Sequence, residues 1–365
     1  MRADPSFVAA RQLEAWLLLG SRDVRDFRAA GAAFGRLSRM PMSARERLHA
    51  GAMAWAVDGD YNRAARLLDA IVLENPRDLV ALAVAHVFDY YLGRNEALRE
   101  RTARALPHWS AVDAEYHLVL SLHAFALEEN GDYDAAENTA RRALALEPRD
   151  IRAHHVVAHV LEMQGRAEEG IRWAGSRSEW WSGGGALTTH LWWHVALHQL
   201  ELGCDRVALE VYDRRLQGDG LAALIDAASL LWRLRLAGRE LGGRFAALAA
   251  RWEPYAEDAF CAFSDLHAMM AFAGAGRWDL AGRLIAAQER VAASPHGANH
   301  DMTRLVGLPA GRALAAFARE DYAEADGLLR ALPPVAHRIG GSHAQRDVLN
   351  LTRAVAAQRR PRKVA

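Results

Sequence analysis

Alternating runs of β-branched residues are scarce along this chain, whereas Ala, Leu, Arg and Glu dominate it. This arrangement of apolar and polar positions predicts helices rather than strands. The predicted helices also repeat, because residues 50–76, with Gly59-Asp60-Tyr61, resemble residues 124–148, with Gly131-Asp132-Tyr133. Each unit reads as a helix, a tight turn, a second helix with a small Ala near its start, and a closing Pro.

The turn residues set a register for the whole chain. Two pairs of turn glycines are 34 residues apart, which is the tetratricopeptide period, while intervals of 38 indicate degenerate repeats. With the turn at position 15, a small Ala recurs at position 20, where two helices can approach closely. The turn residues are Gly59, Gly93, Gly131, Gly165, Gly203, Gly276 and, in place of a glycine, Glu320. The alanines are Ala64, Ala136, Ala208, Ala281 and Ala325.

The predicted fold is all-α: a tetratricopeptide-repeat-like α-solenoid, a right-handed superhelix of helix pairs. Residues 1–365 are expected to form a single domain of degenerate repeats. Residues 176–189 and 293–300 interrupt the period and are predicted to be inserted loops, either lids over the groove or ordinary linkers. Residues 358–365 are predicted to be a flexible basic tail.

Charge and cysteine content narrow the function classes. The 45 Lys and Arg balance the 45 Asp and Glu, so the chain lacks the basic excess that nucleic-acid or anionic-membrane binding requires. Two Cys exclude a disulfide framework and a Cys-rich zinc site. We expect a cytoplasmic protein without a membrane-spanning or targeting segment. The sequence does not indicate an oligomeric state.

Histidines follow the repeat register. In tetratricopeptide repeats the first helix of each pair lines the concave surface, so residues at helical spacing on that helix face one groove. Glu162 lies one helical turn after His159 and two turns after His155, on the same face of that helix. The histidines on predicted inner helices are His49, His155, His159, His190, His194, His198 and His267.

Three kinds of chemistry are open to these imidazoles. The i,i+4 pairs His155/His159 and His190/His194 could hold a metal, but the string His-Glu-x-x-His is absent. We therefore predict no cofactor, with these four histidines as the ligands if a metal is bound. Acid–base catalysis is the second possibility, with Asp265, Asp226 or Glu162 orienting an imidazole. The third is recognition of a polar ligand in a pocket lined by His and Arg.

The last helix carries a recognisable start. Ser342 followed by Gln345 predicts a capping box, and the glycines before it permit a left-handed turn. Free backbone N–H groups and Arg346 at a helix start would suit a carboxylate or phosphate. An ordinary capped helix with an ion pair between Arg346 and Asp347 is the alternative.

Several short segments occur along the chain in a characteristic order and spacing. They are Arg47-Leu48-His49, Asp89-Tyr90-Tyr91-Leu92-Gly93, His155-Val156-Val157-Ala158-His159 with Glu162-Met163, His190 with Trp193-His194, Asp265 with His267, Val306-Gly307-Leu308-Pro309, and Gly340-Gly341-Ser342 with Ala344-Gln345-Arg346-Asp347. In this order and spacing they resemble the tetratricopeptide repeat protein 38 family, including its bacterial members, over essentially the full length.

The resemblance implies an all-helical superhelical chain. It also implies that some of the histidines belong to the family's pattern, whereas His154, His198 and His343 do not. The histidines of the pattern are His49, His86, His155, His159, His190, His194 and His267.

The leading prediction is a concave pocket that closes around a small polar or anionic molecule and could act on it in a hydrolase- or lyase-like step. The alternative is a non-catalytic scaffold that docks a peptide of a partner protein. The predicted catalytic residues are His155, His159, His194, His267 and Asp265. The predicted ligand-binding residues are His49, His86, His190, Trp193, Glu162, Asp226, Ser342, Gln345, Arg346 and Asp347.

Overall fold

The computed structural model describes residues 7–183 and 185–360, and within these ranges the chain is helical and contains no strand. A π-helical stretch, Thr303–Gly307, joins two of the α-helices. The α-helices are α1 Val8–Leu19, α2 Val24–Leu37, α3 Ala44–Val57, α4 Tyr61–Glu74, α5 Leu79–Leu92, α6 Asn95–Ala105, α7 Tyr116–Glu128, α8 Tyr133–Leu146, α9 Ile151–Met163, α10 Ala167–Trp181, α11 Ala186–Glu201, α12 Asp205–Arg215, α13 Leu221–Leu236, α14 Arg244–Trp252, α15 Ala262–Gly274, α16 Trp278–Ala293, α17 Gly297–Met302, α18 Leu308–Ala318, α19 Tyr322–Arg330 and α20 His343–Arg359.

Successive helices pack as hairpins, and the hairpins stack into the predicted tetratricopeptide-repeat-like solenoid. All the predicted turn glycines have a positive φ, and Glu320 adopts the same left-handed conformation, with φ +65°. The chain also turns at Gly238, with φ +75°, between α13 and α14. The register missed this turn, although Gly203 and Gly276 lie 35 and 38 residues away, intervals close to those between the other turns.

Close helix approach follows from the small residues that the register identified. The alanine at position 20 is fully buried in four of the five repeats and 3% exposed at Ala281. Polar side chains begin many of the helices: the carboxylates of Asp60, Asp78 and Asp321 accept backbone N–H groups at the starts of α4, α5 and α19. Local capping and inter-helix packing therefore favour the same arrangement.

The superhelix closes on itself. The ring of Phe27 in α2 lies 5.0 Å from that of Phe260, and the Arg25 guanidinium lies 4.3 Å from the centre of the Tyr255 ring. Further along, the backbone N–H of Ala298 donates to the carbonyl of Gly59 at 3.0 Å. The first repeats thus contact the segment before α15 and the start of α17.

The C-terminal helix α20 packs inside this closed superhelix against α13, with further contacts to α9 and α18. Trp232 Nε1 donates to Thr352 Oγ1 at 2.9 Å, and Tyr90 Oη donates to Gln345 Oε1 at 2.9 Å. Gly341, with φ +79°, precedes α20, and a Cβ at this position would lie 2.2 Å from the Phe263 ring. The start of α20 therefore lies against inner helices from both halves of the chain.

Helices occupy much of the two predicted loops. Helix α10 continues to Trp181 and α11 begins at Ala186, so residues 176–189 are not an inserted loop. Burial of Trp173 and Trp181 explains the longer helix. Helix α17 takes up much of 293–300. Helix α20 runs through residues 358–359 of the predicted tail, whose residues 361–365 lie outside the described ranges. No helix in the described ranges is long and apolar enough to cross a membrane.

The left-handed turn of the last repeat provides a test of this backbone geometry. We expect Glu320→Gly to raise the free energy of unfolding by about 1 kcal/mol, because an L-residue with a side chain is strained in this conformation. Conversely, Gly131→Ala should lower the free energy of unfolding by about as much, because φ is +82° at this position. The added Cβ meets nothing within 4 Å, so the effect reports backbone strain and not a clash. Urea denaturation measures both changes.

Gly51→Ala is the matched control, because Gly51 lies inside α3 with open space around it and no positive φ. This substitution should stabilise the protein by roughly 0.5–1 kcal/mol through helix propensity. Destabilisation by Glu320→Gly would contradict the assignment of strain at this turn.

Candidate functional site

Four histidines from two neighbouring inner helices converge at the centre of the superhelix. His155 and His159 lie one turn apart on α9, and His190 and His194 lie one turn apart on α11. One ring nitrogen of each lies within 4.8 Å of the others. The Nε2 atoms of His155 and His159 are 2.9 Å apart. We call these four residues the histidine tetrad.

Carboxyl groups from the adjoining helices lie at Nδ1 of three of the four rings. Asp226 Oδ1 on α13 lies 2.8 Å from Nδ1 of His190, and Glu162 Oε2 on α9 lies 2.6 Å from Nδ1 of His194. Glu128 Oε2 on α7 lies 3.3 Å from Nδ1 of His159, within ion-pair distance but without a hydrogen bond. An Nδ1–H that donates to an ionised carboxylate leaves the Nε2 lone pair free, so Asp226 and Glu162 in that form leave Nε2 of His190 and His194 available as ligand atoms.

Burial controls the protonation of the tetrad. His159 and His194 are almost fully buried, and burial lowers the pKa of His159 to about 3. Burial, together with repulsion from the neighbouring imidazoles, holds the pKa values of His155 and His194 well below their usual range. The three imidazoles are therefore neutral at pH 7, which is the form that binds metals.

The surrounding carboxyl groups respond to burial in the opposite direction. Burial raises the pKa of Glu162 and of Glu128 to about 8. It also raises the pKa of Glu129 to about 7, with repulsion from Glu128 as the second cause. These side chains are thus held in a region where an uncompensated negative charge is costly.

The tetrad faces a central cavity of about 810 Å³. His155 and His190 are only half-buried because they form part of the cavity wall. Phe125 stacks on His155 at 5.9 Å between ring centroids, and Trp193 stacks on His190 at 5.0 Å. The volume suits one small molecule. Other residues of the wall are Arg22, Tyr90, Tyr91, Arg152, Asp226, Phe263 and Gln345.

A second cavity of about 1020 Å³ lies at the other side of the site and is lined by Glu162, Arg233, His343, Arg346 and Asp347, among others. The start of α20 contributes to both cavities, since Gln345 lines the central one. The interior of the superhelix is therefore divided rather than forming one open groove.

The predicted capping box of α20 is confirmed, but its donors are used internally. Ser342 Oγ accepts from the Gln345 backbone, and Gln345 Oε1 accepts from the Ser342 backbone. The Arg346 guanidinium donates to the Gly341 carbonyl and lies 3.7 Å from Glu129 Oε2. The anion site predicted at this helix start is thus already satisfied by partners within the protein.

His49 and His86 lie apart from the tetrad. His49 Nε2 lies 3.0 Å from Asp78 Oδ2, the side chain that caps α5, and its ring packs edge-on against Trp16. This contact ties one repeat to the next and leaves His49 outside both cavities. His86 does line the central cavity, and its Nδ1 has no hydrogen-bond partner among the described residues.

Asp265 and His267 also lie away from the tetrad. Asp265 faces α16, where Gln288 Nε2 lies 3.5 Å from its Oδ2. His267 Nδ1 lies 2.7 Å from the carbonyl of Phe263, one turn earlier on α15. Of the three carboxylates predicted to orient an imidazole, Asp226 and Glu162 do so and Asp265 does not.

Sequence reasoning missed several contributors to the site, among them Glu128, Arg22 and Arg152. Glu128 occupies position 12 of its repeat, the same position as Glu162, so the register itself could have identified it. Arg22 lies in the turn between α1 and α2, outside any helical periodicity, and no sequence signal pointed to it.

The tetrad fits the requirements of a transition-metal site. Four imidazoles around Zn²⁺ at 2.0–2.1 Å place their nitrogens about 3.3 Å apart, which small ring rotations reach from the observed spacing. His194 Nε2 is buried without a hydrogen-bond partner in the described part of the chain. Carboxylates bound to the distal nitrogens are the usual outer partners of metal-binding histidines.

No protein-family model matches the sequence. Solved structures that resemble the fold include the following two. One is a Rap protein complexed with competence and sporulation factor, with 12% identity, a TM-score of 0.48, and coverage of 97% of this chain and 99% of that one. The other is the APC/C hetero-tetramer Cut9-Hcn1, with 12% identity, a TM-score of 0.43, and coverage of 88% and 59%. Neither likeness bears on what this protein binds.

The isolated carboxyl of Asp265 predicts a pH dependence of stability. Burial raises its pKa to about 8, so the folded state keeps a proton that the unfolded chain loses near pH 4. The contribution of this group is therefore greatest below pH 4 and falls as pH rises to about 8. Asp265→Asn should abolish this decrease in stability with rising pH, because the amide does not ionise. The variant should therefore be more stable than the wild type at pH 8 by on the order of a few kcal/mol.

Urea denaturation of the wild type and the variant at pH 5 and pH 8 measures this effect. An amide fits the site because Gln288 Oε1 is buried without a partner and can accept from it. The same substitution at exposed Asp219 is the matched control. Equal stability changes at both pH values would contradict a protonated Asp265.

Proposed function

We propose that the histidine tetrad binds one divalent transition metal and that the protein is a metal-dependent enzyme acting on a small anionic molecule in the central cavity. The observation that carries this proposal is the convergence of four imidazoles, two of them hydrogen-bonded at Nδ1 to carboxyl groups of adjoining helices. Imidazole ligands suit Zn²⁺, Ni²⁺, Cu²⁺ and Fe²⁺, with Zn²⁺ the first candidate.

The position of the tetrad supports a functional rather than a purely structural metal. A structural zinc site is closed on all sides, whereas a catalytic one is open to a ligand. Here His159 and His194 are buried, but His155 and His190 form part of the cavity wall. A small molecule in the cavity can therefore reach the side of the tetrad that these two rings provide.

The tetrad and the carboxyl groups around it have different roles. Asp226 and Glu162 fix the orientations of His190 and His194 and, when ionised, leave their Nε2 lone pairs available, while Glu128 lies within ion-pair distance of His159. When bound, the metal would supply Lewis-acid polarisation of a substrate oxygen, which suits a hydrolase- or lyase-like step. We place this activity in the cytoplasm, and the resemblance to the tetratricopeptide repeat protein 38 family is part of the same proposal.

Metal content tests the proposal directly. Protein purified without metal-affinity steps should contain about one equivalent of a transition metal per chain by inductively coupled plasma mass spectrometry. His194→Ala should lose it, because a three-imidazole site with a cavity in place of one ring binds more weakly. Asp226→Asn should weaken binding by roughly 10–100-fold through the orientation of His190.

His198→Ala is the matched control. His198 lies one turn beyond His194 on α11, is equally buried, and has no partner at either ring nitrogen among the described residues, but it lies outside the tetrad. It should destabilise the fold without changing metal content. A wild-type protein that neither contains a transition metal nor takes up Zn²⁺ on titration would refute the proposal.

Peptide docking, the alternative drawn from the sequence, predicts a different result. It needs an extended groove, and the start of α20 lies on the surface where that groove would run. It also assigns the tetrad no role beyond packing. A metal-free wild type whose His194→Ala variant differs only in melting temperature would favour docking.

A further inference from the structure

Arg22 is a cation without an anionic partner at the wall of the central cavity. The turn between α1 and α2 carries it, and Tyr91 Oη donates to the carbonyl of Gly20 in that turn, which fixes the turn against α5. The guanidinium carbon lies 4.1 Å from the centre of the Phe263 ring and 4.4 Å from that of Tyr91. Aromatic rings on both sides hold the guanidinium in a defined position.

Its hydrogen-bonding capacity is only partly used. Nη2 of Arg22 is buried and has no hydrogen-bond partner, and no carboxylate in the described part of the chain lies within ion-pair distance of the side chain. The next arginine, Arg25, differs in this respect because it pairs with Asp23 at 2.6 Å. An unpaired cation with a buried donor is costly unless a ligand supplies the missing anion.

Arg152 provides a second unpaired cation in the same cavity. It lies three residues before His155 on α9, so both side chains project from the same face of the helix. Among the described residues it forms no ion pair. Its side chain is exposed to solvent, and its charge is the second cause, after burial, that lowers the pKa of His86 to about 3.

The carboxylates of this cavity do not neutralise these two arginines. Asp226 is bound to His190, and Asp23 to Arg25. Asp219 is exposed and Asp26 partly so, and neither forms an ion pair with Arg22 or Arg152. Aromatic side chains, among them Tyr90, Tyr91, Phe125 and Phe263, form part of the remaining wall, beside aliphatic residues such as Leu122.

We propose that the ligand of the central cavity is a small aromatic carboxylate, held by its carboxylate at Arg22 and Arg152, with its ring against Tyr91 and Phe125 and its other end at the tetrad. A guanidinium binds a carboxylate through two parallel N–H···O bonds, and aromatic side chains favour a flat ligand. This assignment rests on the proposed function for the role of the tetrad, but the arginine pair does not depend on a metal. Arg22 is then the residue that selects the anion.

Calorimetric titration with benzoate tests the assignment, with benzamide as the neutral analogue and inorganic phosphate as the anion without a ring. Wild-type protein should bind benzoate at least 10-fold more tightly than either. Arg22→Met keeps the apolar stem and removes the charge, and should weaken benzoate binding by about 10–100-fold, the usual range for a charge-assisted hydrogen bond. Arg152→Gln should have a smaller effect of the same sign.

Arg28→Met is the matched control, because Arg28 is an exposed arginine of α2 that does not line this cavity, and it should leave benzoate affinity within about 2-fold. Thermal denaturation separates ligand binding from a structural role. Without ligand, Arg22→Met should melt at the same temperature as wild type or higher, since it removes an unpaired charge. A lower melting temperature together with unchanged benzoate affinity would assign Arg22 to the fold.

Titrations before and after treatment with a chelator distinguish this proposal from that of the metal. Dependence of benzoate affinity on Arg22 in a protein that contains no metal as purified and takes up no Zn²⁺ would support the carboxylate site and refute the metal centre. A protein that contains the metal, and whose benzoate affinity is unaffected by Arg22→Met, would support the metal centre and refute the carboxylate site at Arg22. Absence of benzoate binding by the wild type would also overturn the assignment.

Discussion

The stacking of helix pairs determines the rest of this structure, because no pair can bury its apolar face alone. Stacking makes neighbours of side chains that are about one repeat apart in sequence. The structure uses this spacing for contacts between a histidine and a carboxylate on successive inner helices, with separations such as 29 residues for His49 and Asp78 and 36 for His190 and Asp226. A single contact of this kind joins two repeats, and the contacts of His190 and His194 also orient two rings of the tetrad.

The sequence was sufficient to predict the helices, the turns and part of the site. Turn residues and small alanines recur in one register, and that register also places the pairs His155/His159 and His190/His194 on inner faces. It failed where packing overrode local signals: the Gly- and Ser-rich stretch near Trp181 was predicted as a loop, yet burial of that indole extends α10.

The rest of the site depends on three-dimensional closure that periodicity does not contain. The position of a residue in its repeat predicts which helix face it occupies. It does not predict which distant repeats the turns of the superhelix bring into contact. For that reason Asp265 and His267 were grouped with the tetrad, although α15 directs them to Gln288 and Phe263. Arg22 lies in a turn that reaches the cavity only because the first and later repeats meet.

The contact between the first repeats and the region from Phe260 to α17 has a mechanical consequence. An open solenoid behaves like a spring, whose pitch changes at small cost because each repeat contacts only its neighbours. Here Phe27 against Phe260 and Gly59 bonded to Ala298 fasten distant coils together. Stretching or bending the solenoid must therefore break packed contacts, and the cavity keeps its dimensions. A ligand then enters through local opening of a turn or a helix end, not through extension of the whole coil.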